Sequence, residues 1–239
     1  MKRYLPFIII LLVLIGAGTS AWILWRRANS GGDSNRSVSQ SDKSIQLMDG
    51  GKALNRAAPD SSGPVVRPNV KISSPVVLEE YGDYQCPPCG ELYPDLKKIE
   101  GEYGNQLHLV FHYLPLTRLH KNAMAAARAA EAARLQNKFW EMHDRLYRNQ
   151  KAWADAEDPR PIFISYAREL GLSTAQFQED MESNRVDQAI SADIQRAQSL
   201  GINGTPTILI DGHQLRAEAT NPDGIRRGIN VMLERKAVS

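Results

Sequence analysis

Cys86 and Cys89 are the only two cysteines in this chain of 239 residues, and they stand as Cys86-Pro87-Pro88-Cys89 at the head of a helix-like stretch. Two thiols at that spacing can close a disulfide within one turn. A sulfur at a helix start also faces the positive end of the helix dipole, which favours thiolate over thiol and makes the group a nucleophile. The pattern assigns attack on a partner disulfide to Cys86, exposed at the helix start. Cys89, one turn further in and less exposed, then resolves the mixed disulfide. With no third cysteine the fold cannot depend on structural disulfides, so the pair is free to cycle.

A second constellation, Gly204-Thr205-Pro206-Thr207, precedes a strand. Proline is permitted at a strand's first residue, and a cis bond before it would turn the Thr205 carbonyl and amide outward. Free backbone groups beside a nucleophile can hold an extended substrate by strand-like pairing. An ordinary trans turn is the plainer reading of the same residues. His108 and His112 raise the question of zinc, but both read as lying on one strand. Residues four apart on a strand have alpha carbons roughly 13 Å apart, too far for easy co-ligation. Haem attachment would need histidine at position 90, which is Gly90. No metal and no cofactor is expected. A net charge of +2 gives no nucleic-acid footprint. Phe139, Trp140, Met142 and Leu146 read as helix packing, and His120, His143 and His213 as surface or satisfied core residues. The stretch from 151 to 160 reads as a loop.

These groups must be positioned by the elements around them. Residues 75–84, PVVLEEYGDY, open with a short apolar run suited to a central strand. After the cysteines, Leu92, Leu96, Ile99 and Tyr103 recur at helical steps, with Pro94 expected to kink the helix and Gly104-Asn105 to end it. LHLVFHYL, 107–114, is another strand, and strand, helix, strand in that order implies a right-handed crossover and a parallel pair. From Leu119 to Leu200 the patterns are helical: an alanine-rich stretch over 122–147, then Pro161 to Leu170, Ser173 to Glu182 and Arg185 to Leu200. Ser173 with Gln176 has the form of a capping box. The sheet resumes at Thr207 to Ile210, turns at Asp211-Gly212 and returns through His213 to Leu215. A last helix follows Asn221-Pro222-Asp223, with Ile225, Ile229 and Met232 or Leu233 on one face.

Ahead of the folded part, residues 4–25 are uncharged and largely apolar, about the length a bilayer core requires of a helix. Lys2 and Arg3 precede the run, Arg26 and Arg27 follow it, and Tyr4, Trp22 and Trp25 sit where interfacial aromatics belong. Residues 1–27 therefore read as a membrane anchor. A cleaved signal peptide is the rival, because 17–21 is a run of small residues. An N-inside orientation would put the bulk of the chain outside the cytoplasm, where a dithiol pair can be oxidised. Residues 28–74, rich in Gly, Ser, Asp, Asn, Gln and Pro, form a linker with a coil dimension on the order of 35 to 40 Å. A short strand near Val65 to Ile72 is conceivable but not predicted.

Taken together, VVLEEYGDYQCPPC, the helix with Pro94, YLPL and LH at 113–120, AAARAAEAA with FWEMHDRLY, and GINGTPTILIDG resemble the DsbA-like branch of the thioredoxin superfamily over residues 75–236. The resemblance implies an α/β thioredoxin fold with a helical insertion at about 119–200, here preceded by an N-terminal transmembrane helix. It implies that Cys86 attacks, Cys89 resolves, and Pro206 is the cis-proline facing them, with Thr205 before it. Glu80, six residues before Cys86, matches the superfamily's buried acid, whose pKa desolvation would raise toward neutrality; Glu79 would lie on the opposite face. One departure is Pro88, where many oxidising relatives carry histidine. Two prolines remove two N–H donors from the helix start, which predicts a less stabilised thiolate and a more reducing couple. The expected function is a membrane-anchored extracytoplasmic thiol–disulfide oxidoreductase that forms disulfides in cysteine-containing protein clients and is served by a membrane redox partner. A reductase or isomerase of the same fold, or a non-catalytic peptide-binding module, remain the alternatives.

Overall fold

The computed structural model describes Val65–Val66 and residues 75–238; the proposed membrane run at 4–25 and most of the 28–74 linker lie outside the described residues. Among the described residues no helix is long and apolar enough to cross a membrane. The apolar run after Pro75 forms β2, Val76–Gly82, and LHLVFHY forms β3, Leu107–Tyr113. Between them runs α1, Pro87–Tyr103, and the two strands pair in parallel with Glu80 beside Phe111 and Tyr81 beside His112. Val65–Val66, β1, pairs antiparallel with β3, so part of the segment read as linker is tied to the sheet edge. β4, Thr207–Ile210, lies antiparallel on the other side of β2, and β5, His213–Gln214, returns from it. The sheet order is β1-β3-β2-β4-β5, which puts the strand leading into the cysteines at the centre.

Alternation along β2 decides what each face meets. Val76 and Leu78, with Leu107 and Leu109 of β3 and Ile208 and Ile210 of β4, pack against Leu92, Leu96 and Ile99 of α1. The same cluster takes in Ile225, Ile229 and Met232 of α8, Pro222–Val238. At Gly228 a Cβ would lie 2.5 Å from Ile210 Cδ1, so the glycine permits that helix to reach the sheet. Pro94 sits inside α1 without ending it, and Gly104, at φ 51°, terminates it. The missing Pro94 N–H removes one internal bond, which the packed face of Leu92, Leu96 and Ile99 offsets.

The insertion between β3 and β4 is helical: α2 Ala123–Leu135, α3 Phe139–Arg148, α4 Gln150–Trp153, α5 Arg160–Glu169, α6 Thr174–Met181 and α7 Asn184–Ser199. The alanine-rich stretch is thus two helices, because Asn137 takes a left-handed φ of 59° and turns the chain before Phe139. The segment from 151 likewise begins inside a short helix rather than a loop. Small alanines let α2 approach its neighbours closely, and Phe139, Met142, Leu146, Trp153, Phe163 and Phe177 fill the core around it. Ser173 caps α6, accepting the Gln176 N–H. α7 covers the second face of the sheet, where Ala197 packs with Tyr81, Leu114, Ile202 and Leu209.

On that second face His112 is fully buried between two carboxylates, its Nε2 3.0 Å from Glu79 and its Nδ1 2.9 Å from Asp193 of α7. A neutral ring donates from one nitrogen only, so both contacts together describe an imidazolium. Arg196 of α7 reaches Glu79 at 2.9 Å and the Tyr81 hydroxyl at 2.8 Å, and Asp193 also accepts the Tyr113 N–H at 2.8 Å. Burial alone would lower the His112 pKa, but Asp193 and Glu79 raise it; burial would raise that of Glu79, but His112 and Arg196 hold it down. Removing the cation would leave the buried Asp193 carboxylate with the Tyr113 N–H but no imidazolium, and Glu79 with Arg196 alone. His112→Gln is therefore expected to cost about 3–5 kcal/mol in a urea unfolding titration at neutral pH. The raised imidazole contributes stability that is present below its ordinary value and lost as pH rises through the folded value. The lowered Glu79 contributes above its ordinary value and loses this as pH falls. The gap between wild type and variant is accordingly widest between those limits, and a pH-independent gap would contradict the ion-pair assignment.

Candidate active site

β2 ends at Gly82, and the chain then turns through Asp83-Tyr84-Gln85 into α1. A Cβ at Gly82 would lie 2.5 Å from the Phe111 ring and 2.9 Å from the Tyr147 hydroxyl, so only glycine fits that exit. Cys86 is the N-cap of α1 in extended conformation, with Pro87 and Pro88 as the first helical residues. The first N–H the helix can offer is therefore that of Cys89, since the Gly90 N–H is taken by the Cys86 carbonyl at 3.1 Å. Cys86 keeps only 4% exposure against 0% for Cys89. The exposed nucleophile expected from sequence is instead a nearly covered one, because the Thr205 loop and the insertion close over it.

Thr205-Pro206 is a cis peptide bond, and the Cys86 thiol lies 3.4 Å from the Thr205 carbonyl oxygen. Electrostatics separates the two sulfurs. A hydrogen bond from Cys89, aided by the Cys89 backbone N–H, outweighs burial and pulls the Cys86 pKa down to about 6. Burial and then the neighbouring Cys86 push Cys89 far up. At neutral pH the pair is one thiolate and one thiol sharing a hydrogen bond.

Glu80 lies on the α1 side of β2, paired in register with Phe111 and Ile208, and is 2% exposed. Its Oε1 has no hydrogen-bond partner among the described residues, and burial, with a further push from the Cys86 charge, raises its pKa to about 8. It therefore holds a proton at pH 7. Glu79, one residue earlier, is spent on His112 and Arg196 across the sheet. The five residues singled out from sequence thus fall at one place: Cys86 lies against Cys89 and the Thr205 carbonyl, Pro206 carries the cis bond, and Glu80 on β2 is near enough that its ionisation and that of the two sulfurs oppose one another. His112 stands apart on the other face with both ring nitrogens engaged.

Sequence reasoning missed the supports of the cysteine loop. Asp83, 1% exposed, accepts the Gln85 N–H at 2.8 Å with one oxygen and the Leu116 N–H and His120 Nδ1 with the other, at 2.9 and 2.7 Å. The first bond is an Asx turn, whose Asp-x-x signature is visible in Asp83-Tyr84-Gln85. His120, read as surface or core, is therefore an anchor of the redox loop. His143 faces the Tyr84 hydroxyl at 3.1 Å within a buried aromatic cluster of Tyr84, Tyr93, Phe111 and Tyr147.

Residues 71–230 match the protein family described as Thioredoxin. Among solved structures, a thioredoxin-like oxidoreductase from Silicibacter pomeroyi is 26% identical with a TM-score of 0.59, covering 74% of this chain and 99% of that one. BdbD from Bacillus subtilis, in oxidised form, is 23% identical with a TM-score of 0.62 over 74% of this chain and 96% of its own. The oxidoreductase DsbA of Xylella fastidiosa, at 15% identity and a TM-score of 0.59, covers 70% and 89% respectively; these last two likenesses are of fold alone. A curated relative of another kind is the Na(+)/H(+) antiporter NhaA 1 of Salinispora arenicola, 31% identical over 205 residues, 86% of this chain and 29% of that protein. The chain thus spans under a third of that relative's length. With the matched family spanning most of the chain and the Cys-Pro-Pro-Cys motif facing a cis-proline, this protein belongs to the thioredoxin family.

Proposed function

We propose that this chain is a membrane-tethered, extracytoplasmic oxidoreductase that passes the Cys86–Cys89 disulfide to cysteine-containing protein clients and is reoxidised by a redox partner in the membrane. The observation that carries the reading is the inequality of the two sulfurs, with Cys86 drawn down to about 6 and Cys89 pushed far up above a protonated acid. The sulfur that carries the client in the mixed disulfide must leave it again in the second exchange, and its low pKa makes Cys86 the good leaving group for that step. The tether reading rests on the apolar run at 4–25 with its flanking arginines and aromatics. It is supported by the likeness of most of this chain to part of a protein named as a Na(+)/H(+) antiporter.

In the donor direction a client thiolate attacks Cys86 of the disulfide. The new sulfur–sulfur bond joins client and Cys86, and the old one breaks to release Cys89 as a thiolate. Its high proton affinity, with the proton held by Glu80, makes Cys89 a thiol at once. A second client thiolate then attacks the client sulfur of the mixed disulfide, and the Cys86 thiolate departs. Two electrons have moved from the client to the pair, and the client carries the disulfide. The acid left as carboxylate takes up a proton from the entering client thiols. The Thr205 carbonyl, beside the reacting sulfur, is placed to accept a client backbone N–H in strand-like pairing.

Three measurements test this. Cys89→Ala should accumulate mixed disulfides between Cys86 and client proteins on non-reducing gels, and Cys86→Ser should abolish them; a Cys86→Ser chain that retains full biological activity would leave only a peptide-binding role. Glu80→Gln should slow the reduction of the disulfide by model dithiols roughly a hundredfold at neutral pH while leaving the unfolding midpoint of the dithiol form near wild type or above it. The Cys86 value falls between those of thioredoxin and DsbA cysteines, at about 7 and about 3.5, and a lower thiol pKa favours the reduced form and so a more oxidising disulfide. Titration against glutathione should accordingly place the couple between about −270 and −120 mV, and a value at the oxidising end would overturn the role given to the two prolines.

A further inference from the structure

We propose that Gln150, the first residue of α4 in the helical insertion, is a positioning residue of the redox site, holding the backbone that carries Cys86 through its side-chain amide. The inference rests on the oxidoreductase reading above and adds to it a component that lies 64 residues away in the chain. The Gln150 Nε2 donates to the Tyr84 carbonyl at 2.7 Å and to the Cys86 carbonyl at 2.9 Å. Both partners are carbonyls that can only accept, so the orientation of the amide is fixed by what it meets.

Three further observations make this a clamp rather than an incidental contact. The residue between the two carbonyls, Gln85, is held by the same turn: its Nε2 donates to the Ala154 carbonyl at 2.7 Å, and its Oε1 accepts the Asn122 N–H at 2.6 Å. The turn is itself fixed, because the Asn122 amide donates to the carbonyls of Trp153, Ala154 and Ala156 at 3.1, 3.0 and 2.8 Å. Finally, Gly90, directly after Cys89, is where α1 must make room for Gln150. A Cβ there would lie 2.7 Å from Gln150 Oε1 and 3.0 Å from its Nε2. That glycine has no positive φ to accommodate, so clearance for the amide is the physical reason for it.

The clamp suits this particular motif. Pro87 and Pro88 leave the first turn of α1 short of donors, and the Cys86 carbonyl would otherwise be held by the Gly90 N–H alone. A second donor from outside the helix holds the peptide plane, and with it the direction of Sγ toward Cys89 and Thr205. Cys89 stabilises the thiolate only if the sulfur points at it.

The test is the rate of Cys86 alkylation by iodoacetamide as a function of pH in the full-length reduced chain. It reads Cys86 without any client or redox partner. Wild type should titrate with a midpoint near 6. Gln150→Ala should move the midpoint up by roughly half to one unit, equivalent to about a three- to tenfold loss of thiolate stabilisation. Gln150→Met, which fills the same space without donors, should do the same and stands in if the alanine variant fails to fold. Gly90→Ala should match them by pushing the amide aside, and the Gly90→Ala, Gln150→Ala double variant should be no worse than Gln150→Ala alone. Profiles indistinguishable from wild type for the folded Gln150 variants, or penalties at 90 and 150 that simply add, would overturn the proposal. A wild-type Cys86 inert at every pH would instead sink the oxidoreductase reading.

Discussion

A proton shared by two sulfurs at the start of α1 is the interaction on which the rest of the structure turns. Stabilising a thiolate that is almost wholly covered requires donors, and the sequence has removed two of them by placing prolines at the first two helical positions. What remains is the neighbouring thiol and one backbone N–H. This is a smaller set than a helix start without prolines would present, and the Cys86 pKa of about 6 reflects it. The arrangement stores its asymmetry in Cys89, which gives its hydrogen bond to the thiolate and is held as a thiol by burial.

The central strand makes a second asymmetry from two identical residues. Glu79 and Glu80 are adjacent, both nearly covered, and differ only in the face to which alternation assigns them. Glu79 meets an imidazolium and a guanidinium and stays ionised; Glu80 meets apolar residues and the underside of the cysteine turn and stays protonated. An ionised carboxylate without a partner in such surroundings costs more than holding a proton above its usual pKa, and the balance tips to the acid. Glu79 therefore belongs to stability, while Glu80 keeps a proton beside the two sulfurs. The cation that neutralises Glu79 comes from β3 and α7, so the far face of the sheet is held by charge where the near face is held by apolar packing.

Much of this was legible in the sequence, for identifiable reasons. The apolar run of β2, the i, i+4 apolar spacing of α1 and the Asp-Gly turn before β5 are periodic or local signals, and the parallel crossover follows from their order. Glu80 was chosen over Glu79 by resemblance, since two glutamates in one strand give no periodic reason to prefer either. The division of the alanine-rich stretch into α2 and α3 was not legible, because Asn137 in a left-handed turn interrupts an otherwise unbroken run of helix formers. Nor was the partner of His112, which depends on Asp193 arriving 81 residues later on α7. Such pairs leave no repeat behind them: one buried charge finds another only after the sheet and the insertion have met. Gln150 was hidden for the same reason, its polar side chain standing just before the stretch from 151 to 160 that reads as a loop.

The insertion then has a use beyond adding core. It leaves the sheet after β3 and returns through α7 into the loop of the cis-proline, so its two ends are fixed on either side of the redox centre. Its interior reaches the centre a third time, at α4, through amides that bind carbonyls of the cysteine turn. With the backbone from Asp83 to Gly90 held by its own Asx turn, by α4 and by the first bond of α1, exchange between thiol and disulfide need move little besides the two side chains. A loop so constrained holds the same sulfur at the helix start throughout, and the entropy of ordering it is met at folding. An exposed cysteine pair on a free helix end would be more accessible, but each reaction would then have to find the geometry that this fold already holds.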